Sequence, residues 1–246
     1  MLQPIKTITA REKLILALDV PSEKEALAIV KELKDEVGLF KIGLELYAHC
    51  GTRLFEAMRS ENVPFFFDCK FHDIPNTVAR ASQALVGQGI AMFNVHATGG
   101  FEMMSATARA THEASEQANV AAPKIIAVTM LTSINDQEAS DIGFAGKVQQ
   151  LVPKLALLTK KAGLDGVVAS AQEVVSIRQA CGPDFLIVTP GIRPAWSSTD
   201  DQKRIVTPSQ AIKDGADYLV VGRPITQASN RRDAARKVVE EMESAN

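Results

Sequence analysis

Residues 14–34 read LILALDVPSEKEALAIVKELK, and the fold turns on how this stretch is divided. Its first part, 14–19, is apolar on both sides of the chain, as a strand covered on two faces must be. Its second part, 22–34, opens with Ser22 followed three residues later by Glu25, the pattern of a helix cap. The turn between them is Asp19-Val20-Pro21-Ser22. That turn holds no glycine, so a dinucleotide pyrophosphate would find no open backbone after the first strand.

The same strand-then-helix unit recurs along the chain. Short apolar runs lie at 14–19, 39–43, 64–70, 92–96, 125–129, 166–169, 185–189 and 218–222. Helical stretches follow them at 22–34, 45–59, 75–86, 101–117, 147–161, 171–180, 208–213 and 226–242. Eight such units predict a closed (β/α)8 TIM barrel of the α/β class. A doubly wound open sheet needs five or six strands and would leave some over. No linker or low-complexity block interrupts the pattern, so residues 1–246 are read as one domain.

Composition narrows the function. Lys and Arg number 27 against 29 Asp and Glu, a net charge of −2. Such a chain has no global basic field for nucleic acid or an anionic membrane, while a local cluster could still hold a small anion. The three cysteines, Cys50, Cys69 and Cys181, form no paired or metal-ligand spacing. The N-terminal residues lack the apolar core of a signal peptide. The longest uncharged run, between Arg80 and Glu102, is broken by Gln83, Gln88, Asn94 and His96 and makes a poor membrane span. These features predict a reduced, soluble, cytoplasmic protein with no metal site.

In a barrel, polar residues at the C-terminal ends of strands converge on one face. Asp19 ends the first strand and Lys41 lies on the second. The third reads Phe65-Phe66-Phe67-Asp68-Cys69-Lys70 and continues through Phe71-His72-Asp73. A strand has period two, so Asp68 and Lys70 share a face and Cys69 points away. Lys41, Asp68, Lys70 and Asp73 would then gather at one mouth with alternating sign. Charges directly after three phenylalanines need partners, and each supplies another. Asp73 has a second reading as a helix cap, because Pro75 suits a first turn.

A second constellation lies near the C-terminus. Thr189-Pro190-Gly191-Ile192-Arg193-Pro194 follows the seventh strand, and Gly222-Arg223-Pro224 follows the eighth. Loops after these strands commonly bind phosphate through backbone N–H groups and a helix N-terminus. Glycine lets the anion approach, and arginine offers a bidentate fork. The segment from Gly191 to Lys203, with the only tryptophan at Trp196, is long enough to be a lid. His96, with apolar neighbours, reads more readily as a hydrogen-bonded core residue than as a catalyst.

The stretch Asp68-Cys69-Lys70-Phe71-His72-Asp73-Ile74-Pro75-Asn76-Thr77 closely resembles the DxKxxDIPNT signature of the orotidine 5′-phosphate decarboxylases, in their bacterial form. Further blocks match in order: Leu16-Ala17-Leu18-Asp19, Lys41-Ile42-Gly43, Asn94-Val95-His96-Ala97, Val128 through Ser133, the Gly191–Pro194 block, Asp201-Gln202, and Val221 through Thr226. Sugar-phosphate lyases of the same superfamily share the bare DxKxxD but not these later blocks.

The resemblance implies decarboxylation of orotidine 5′-monophosphate to uridine 5′-monophosphate, with no cofactor. It implies catalytic roles for Lys70, Asp68, Asp73 and Lys41. It places Asp19 and Lys41 at the ribose hydroxyls and Thr132 near the pyrimidine or a closing loop. Arg193, Gln202, Gly222 and Arg223 would take the phosphate. It also implies a homodimer, in which Asp73 and Thr77 reach into the partner's site.

Overall fold

The computed structural model describes residues 8–197 and 206–245. Eight parallel strands close into a barrel in sequence order, and the last pairs with the first. They are β1 (Leu14–Ala17), β2 (Leu39–Ile42), β3 (Phe65–Phe71), β4 (Ile90–His96), β5 (Lys124–Val128), β6 (Gly166–Val168), β7 (Leu186–Thr189) and β8 (Tyr218–Val221). The predicted barrel is therefore the observed fold, with strand ends moved by one or two residues.

Helices run outside the strands. A short α1 (Ala10–Lys13) precedes β1, and α2 (Glu23–Leu33) follows it. Next come α3 (Leu44–Cys50), α4 (Arg53–Ser60), α5 (Pro75–Leu85) and α6 (Gly100–Ala118). The second half carries α7 (Asp136–Asp141), α8 (Val148–Lys161), α9 (Val174–Cys181), α10 (Pro208–Lys213), α11 (Arg223–Thr226) and α12 (Arg231–Glu243). No helix among the described residues is long and apolar enough to cross a membrane.

Two predicted helices differ in the structure. The stretch 45–59 breaks between α3 and α4 because Gly51 takes φ of +62°, a left-handed turn that ends α3. The stretch 226–242 starts later than expected: residue 226 ends α11, and the long helix is α12, beginning at Arg231 with Asn230 capping it through its side chain. Two short helices, α1 and α7, were not expected. Both open on capping boxes, Thr9 with Glu12 and Asn135 with Glu138, which stabilise helices too short to show periodicity.

The core has two shells. The inner one fills the barrel with Ile15, Ala17, Leu39, Phe66, Met92, Ile126, Val188 and Val220. The outer one packs the alternate strand residues against the helices. This is period two applied eight times, and it fixes which residues look inward. Charges at the N-terminal rim serve structure. Asp165 accepts the Ile125 N–H at 2.8 Å, and Asp217 accepts the Ile187 N–H at 2.8 Å.

An aromatic cluster braces β3 from behind. Phe55 of α4 lies 5.4 Å from Phe65, 5.0 Å from Phe67 and 5.9 Å from Tyr47, ring centre to ring centre. Phe55 is almost fully buried. Truncating Phe55 to Ala removes ring packing and leaves a void, at a cost of about 3–5 kcal/mol. Urea denaturation of Phe55→Ala is expected to show a loss in that range with an unchanged slope. A loss under about 1 kcal/mol would mean the cluster does not brace the strand.

Candidate active site

On β1 to β4 the inward-facing row is apolar deep in the barrel and turns polar toward the C-terminal mouth. On β1 the row is Ile15, Ala17, then Asp19 beyond the strand; on β2 it is Leu39, then Lys41. On β3 it is Phe66 then Asp68, and on β4 it is Met92, Asn94, then His96. The alternation that builds the core thus delivers these polar groups to one opening.

There they form a chain of contacts. Lys41 Nζ lies 3.2 Å from Asp19 Oδ1 and 3.4 Å from Asp68 Oδ2. Lys70 Nζ lies 2.6 Å from Asp68 Oδ1. Burial pushes the Asp68 carboxyl up, but the two ammonium groups and hydrogen bonds from Lys70 and Asn94 outweigh it, so Asp68 is held below the usual carboxylate range. The Lys41 side chain is only 11% exposed and that of Lys70 is 29%. Lys70 is therefore the cation a ligand in the mouth meets first.

Space for this chain comes from Gly43. A Cβ there would stand 2.9 Å from Lys41 Nζ and 3.3 Å from Asp19 Oδ1. A side chain there would push the Lys41 ammonium from its place between the two carboxylates, so glycine serves here by close approach rather than by its dihedral angles.

Period two carries β3 as far as Asp68 but not through Lys70. Lys70 takes φ of +51°, and the register between β3 and β4 shifts between Phe67 and Phe71. The other non-glycine residues with positive φ among the described residues are Asn62 and Asn119, and asparagine tolerates that conformation. For lysine it costs about 1–2 kcal/mol. What holds it is Asn94, fully buried on β4. Its Oδ1 accepts the Lys70 backbone N–H at 2.7 Å, and its Nδ2 donates to Asp68 Oδ1 at 2.7 Å. Sequence reasoning did not single out Asn94 as a site residue. The signal was available, since Asn94 is a polar residue at an inward register position two residues before His96.

The structure does not bring Asp73 into this chain. Asp73 is exposed, makes no ion pair with Lys41 or Lys70 among the described residues, and accepts the Ile74 N–H at 2.7 Å. It is not the helix cap either, because Ile74 occupies that position and has no side-chain cap bond. Thr77, in the first turn of α5, and Thr132, in the turn after β5, are likewise exposed. His96 is half-buried and packs on His72 with ring centres 5.3 Å apart. Burial, His72 and Lys70 push its imidazole below the ordinary histidine value, against the pull of Asp68. Cys69 faces away from the mouth as expected, its thiol pushed up to about 12 by burial.

Across the mouth, Arg193 and Arg223 line one cavity of about 250 Å³ with Trp196, Ser197 and Gln227. Arg193 is nearly buried. Gly222 ends the inward row of β8, and a Cβ on it would lie 3.8 Å from Asp19 Oδ2. The arginine cavity and the ion chain are thus adjacent. Gln202 lies outside the described residues. A larger cleft of about 650 Å³ sits behind β3, lined by Tyr47, Phe55, Phe67, Cys69 and Phe71. It faces the aromatic cluster and not the charges, so the chemistry belongs to the mouth. Among the described residues no group of three His, Cys, Asp or Glu is placed to hold a metal ion.

Comparisons with known proteins agree with this geometry. A family model described as "Orotidine 5'-phosphate decarboxylase / HUMPS family" matches residues 12–238. An orotidine 5′-phosphate decarboxylase of Syntrophomonas wolfei is 51% identical over 236 residues, 95% of this chain and 99% of that protein. One from Carboxydothermus hydrogenoformans is 51% identical over 232 residues, 94% of this chain and 96% of that protein. Among solved structures, an orotidine 5′-phosphate decarboxylase from Lactobacillus acidophilus superposes with a TM-score of 0.83 at 36% identity, covering 93% of this chain and 98% of that one. A barrel whose mouth holds this lysine–aspartate chain beside an arginine cavity, with relatives this similar over nearly its whole length, belongs to the orotidine 5′-phosphate decarboxylase / HUMPS family.

Proposed function

We propose that this protein converts orotidine 5′-monophosphate to uridine 5′-monophosphate and CO2, the closing step of pyrimidine nucleotide synthesis. The observation that carries the reading is the Lys41–Asp68–Lys70 chain at the mouth, with Lys70 its accessible end. The named relatives at about half identity support this substrate over a sugar phosphate.

The chemical problem is the electron pair left at C6. As the C6–carboxylate bond breaks, CO2 departs and the pair stays in an sp² orbital outside the ring's π system. A cation at C6 stabilises that charge, and a proton on the same cation then quenches it. Lys70 takes both parts in this reading. Its ammonium stabilises the developing carbanion and transfers a proton to C6, and solvent restores the proton. Asp68 holds the ammonium in place and sets a carboxylate beside the one that leaves. Lys41 and Asp19 bind the ribose hydroxyls. No metal or organic cofactor takes part.

Arg193, Arg223, Gly222 and Gln202 take the phosphate. Arginine suits it because its planar fork matches two phosphate oxygens. Phosphate is remote from C6, yet its binding energy can be used to order the site around the reacting carbon. Thr132 lies beside the pyrimidine.

The position of Asp73 supports a homodimer. Ile74, Leu44, Phe101 and Leu131 are large apolar residues at least 40% exposed. They follow β3, β2, β4 and β5, so they lie on one arc of the mouth rim around Asp73 and Thr77. An exposed apolar patch next to an unpaired acid suits a second copy of the chain. In that assembly Asp73 and Thr77 complete the partner's site.

Three experiments test the reading. Lys70→Ala is expected to abolish turnover of orotidine 5′-monophosphate while leaving the fold and product binding in place. Activity within about tenfold of the parent, roughly 1.4 kcal/mol of barrier, would remove Lys70 from the chemistry.

Lys70→Ala and Asp73→Ala homodimers are each expected to be inactive. Mixed under subunit exchange, they form dimers with one doubly damaged site and one intact site, so activity returns. No recovery with exchange confirmed by mass spectrometry would place Asp73 in its own barrel's site.

Arg223→Ala is expected to weaken binding of uridine 5′-monophosphate more than tenfold, since a charge-assisted hydrogen bond contributes about 1.5–3 kcal/mol. Uridine itself is expected to bind as before. Equal losses by calorimetry would make Arg223 a structural residue.

A further inference from the structure

We infer that Asn94 is a positioning residue that sets the reactive geometry of Lys70 through both its backbone and its counter-ion. The inference rests on the proposed decarboxylation and goes beyond it, because Asn94 touches no substrate atom in that reading.

Three observations carry it. Asn94 is 0% exposed, so its amide is cut off from solvent and depends on the two hydrogen bonds it makes among the described residues. Both bonds end on the catalytic pair: Oδ1 accepts the Lys70 N–H, and Nδ2 donates to Asp68 Oδ1, each at 2.7 Å. Lys70 is left-handed, a conformation that lysine keeps only where its surroundings impose it. One amide therefore fixes where the lysine's main chain turns and which way its carboxylate partner faces. Asp68 Oδ1 receives the Lys70 ammonium and the Asn94 amide together. Asn94 thereby holds the shared oxygen in the direction the ammonium must reach.

An amide is required for this. The group must accept from an N–H with one atom and donate to a carboxylate with another, and among side chains of this size only asparagine does both at neutral pH. Aspartate in its place keeps the acceptor and loses the donor. Ionised, it also sets a second carboxylate against Asp68. Protonated, it regains a donor, and its O–H can take the place of the amide N–H. The charged groups facing this position are Asp68 and Lys70 from β3, with Lys41 behind Asp68 on β2. His96 shares β4, with His72 packed on it, and buried Cys69 donates its thiol to the Asn94 carbonyl. On β5 the opposite residue is Ile126, which brings no charge.

The test uses the full-length protein and compares Asn94→Ala and Asn94→Asp with the parent. Asn94→Ala is expected to lower kcat at least thirtyfold while uridine 5′-monophosphate binds within threefold of the parent. Asn94→Asp is expected to be impaired at pH 8.5. Its deficit relative to the parent is expected to shrink at least tenfold by pH 5.5, as the new carboxyl gains a proton and donates again. A merely structural role would lower stability and binding together and leave the Asn94→Asp deficit the same at every pH. Either that flat ratio or an Asn94→Ala kcat within threefold of the parent overturns the inference. Should Asn94→Ala fail to fold, the nearly isosteric Asn94→Asp carries the test alone. A parent protein with no decarboxylase activity would instead fail the proposed function, so the two failures are read separately.

Discussion

Asp68 stands between two ammonium groups, 3.4 Å from that of Lys41 and 2.6 Å from that of Lys70. Without it, two cations would face each other in a largely dry pocket. With it, each cation has a counter-charge within contact. Burial alone would drive Asp68 toward its neutral form, and the surrounding donors more than reverse that. Interactions of this kind are stronger in a partly buried site than in water, and breaking one member leaves an uncompensated charge. The arrangement is therefore sensitive to any change of position. Gly43 leaves the room, Asn94 fixes the angle, and the aromatic cluster behind β3 keeps the strand from yielding.

The barrel pays for this polarity only at one end. Deep in its interior the rows are Ile, Ala, Leu, Phe, Met and Val, and the charges begin within the strands toward the mouth, Lys41 on β2 and Asp68 on β3. At the opposite rim Asp165 and Asp217 are engaged by backbone N–H groups of the neighbouring strands and by Lys124 and Arg178. Those acids close the structure. The acids at the mouth bind ammonium groups that a ligand can also reach. Charge of the same type thus has two uses, and its place along the strand decides which.

Much of this was legible in the sequence. The eight apolar runs gave the barrel, because a strand buried on both faces looks different from the helix after it. Period two gave Lys41 and Asp68 a common opening. The misses have local causes. Gly51 broke a helix that apolar spacing drew as continuous, since the spacing continues across the left-handed turn. The short helices α1 and α7 rest on capping boxes and not on periodicity. Lys70 leaves the strand geometry that placed it, and its backbone contact with Asn94, 24 residues further along the chain, joins its own ion pair in keeping it near Asp68. Asp73 lies in the loop after β3, where its carboxylate accepts the Ile74 N–H and makes no ion pair with Lys41 or Lys70 among the described residues, a matter of loop conformation that composition does not carry.

Closure of the sheet joins the two halves of the site. The ion chain belongs to β1, β2 and β3, and the arginine cavity to the segments after β7 and β8. In an open sheet of the same strands in the same order, β1 and β8 would be opposite edges. In the barrel they pair, Leu16 beside Val221, and the rows that continue from them bring Asp19 next to Gly222. Asp19 is bonded to Lys41, Lys41 to Asp68 and Asp68 to Lys70, so consecutive contacts run along the rim from beside the arginine cavity to Lys70. In the proposed function, a phosphate gripped at one end of that arc places the rest of a nucleotide across the other. The same closure that removes the sheet's exposed edges therefore also sets the distance between the arginine cavity and the lysine–aspartate chain.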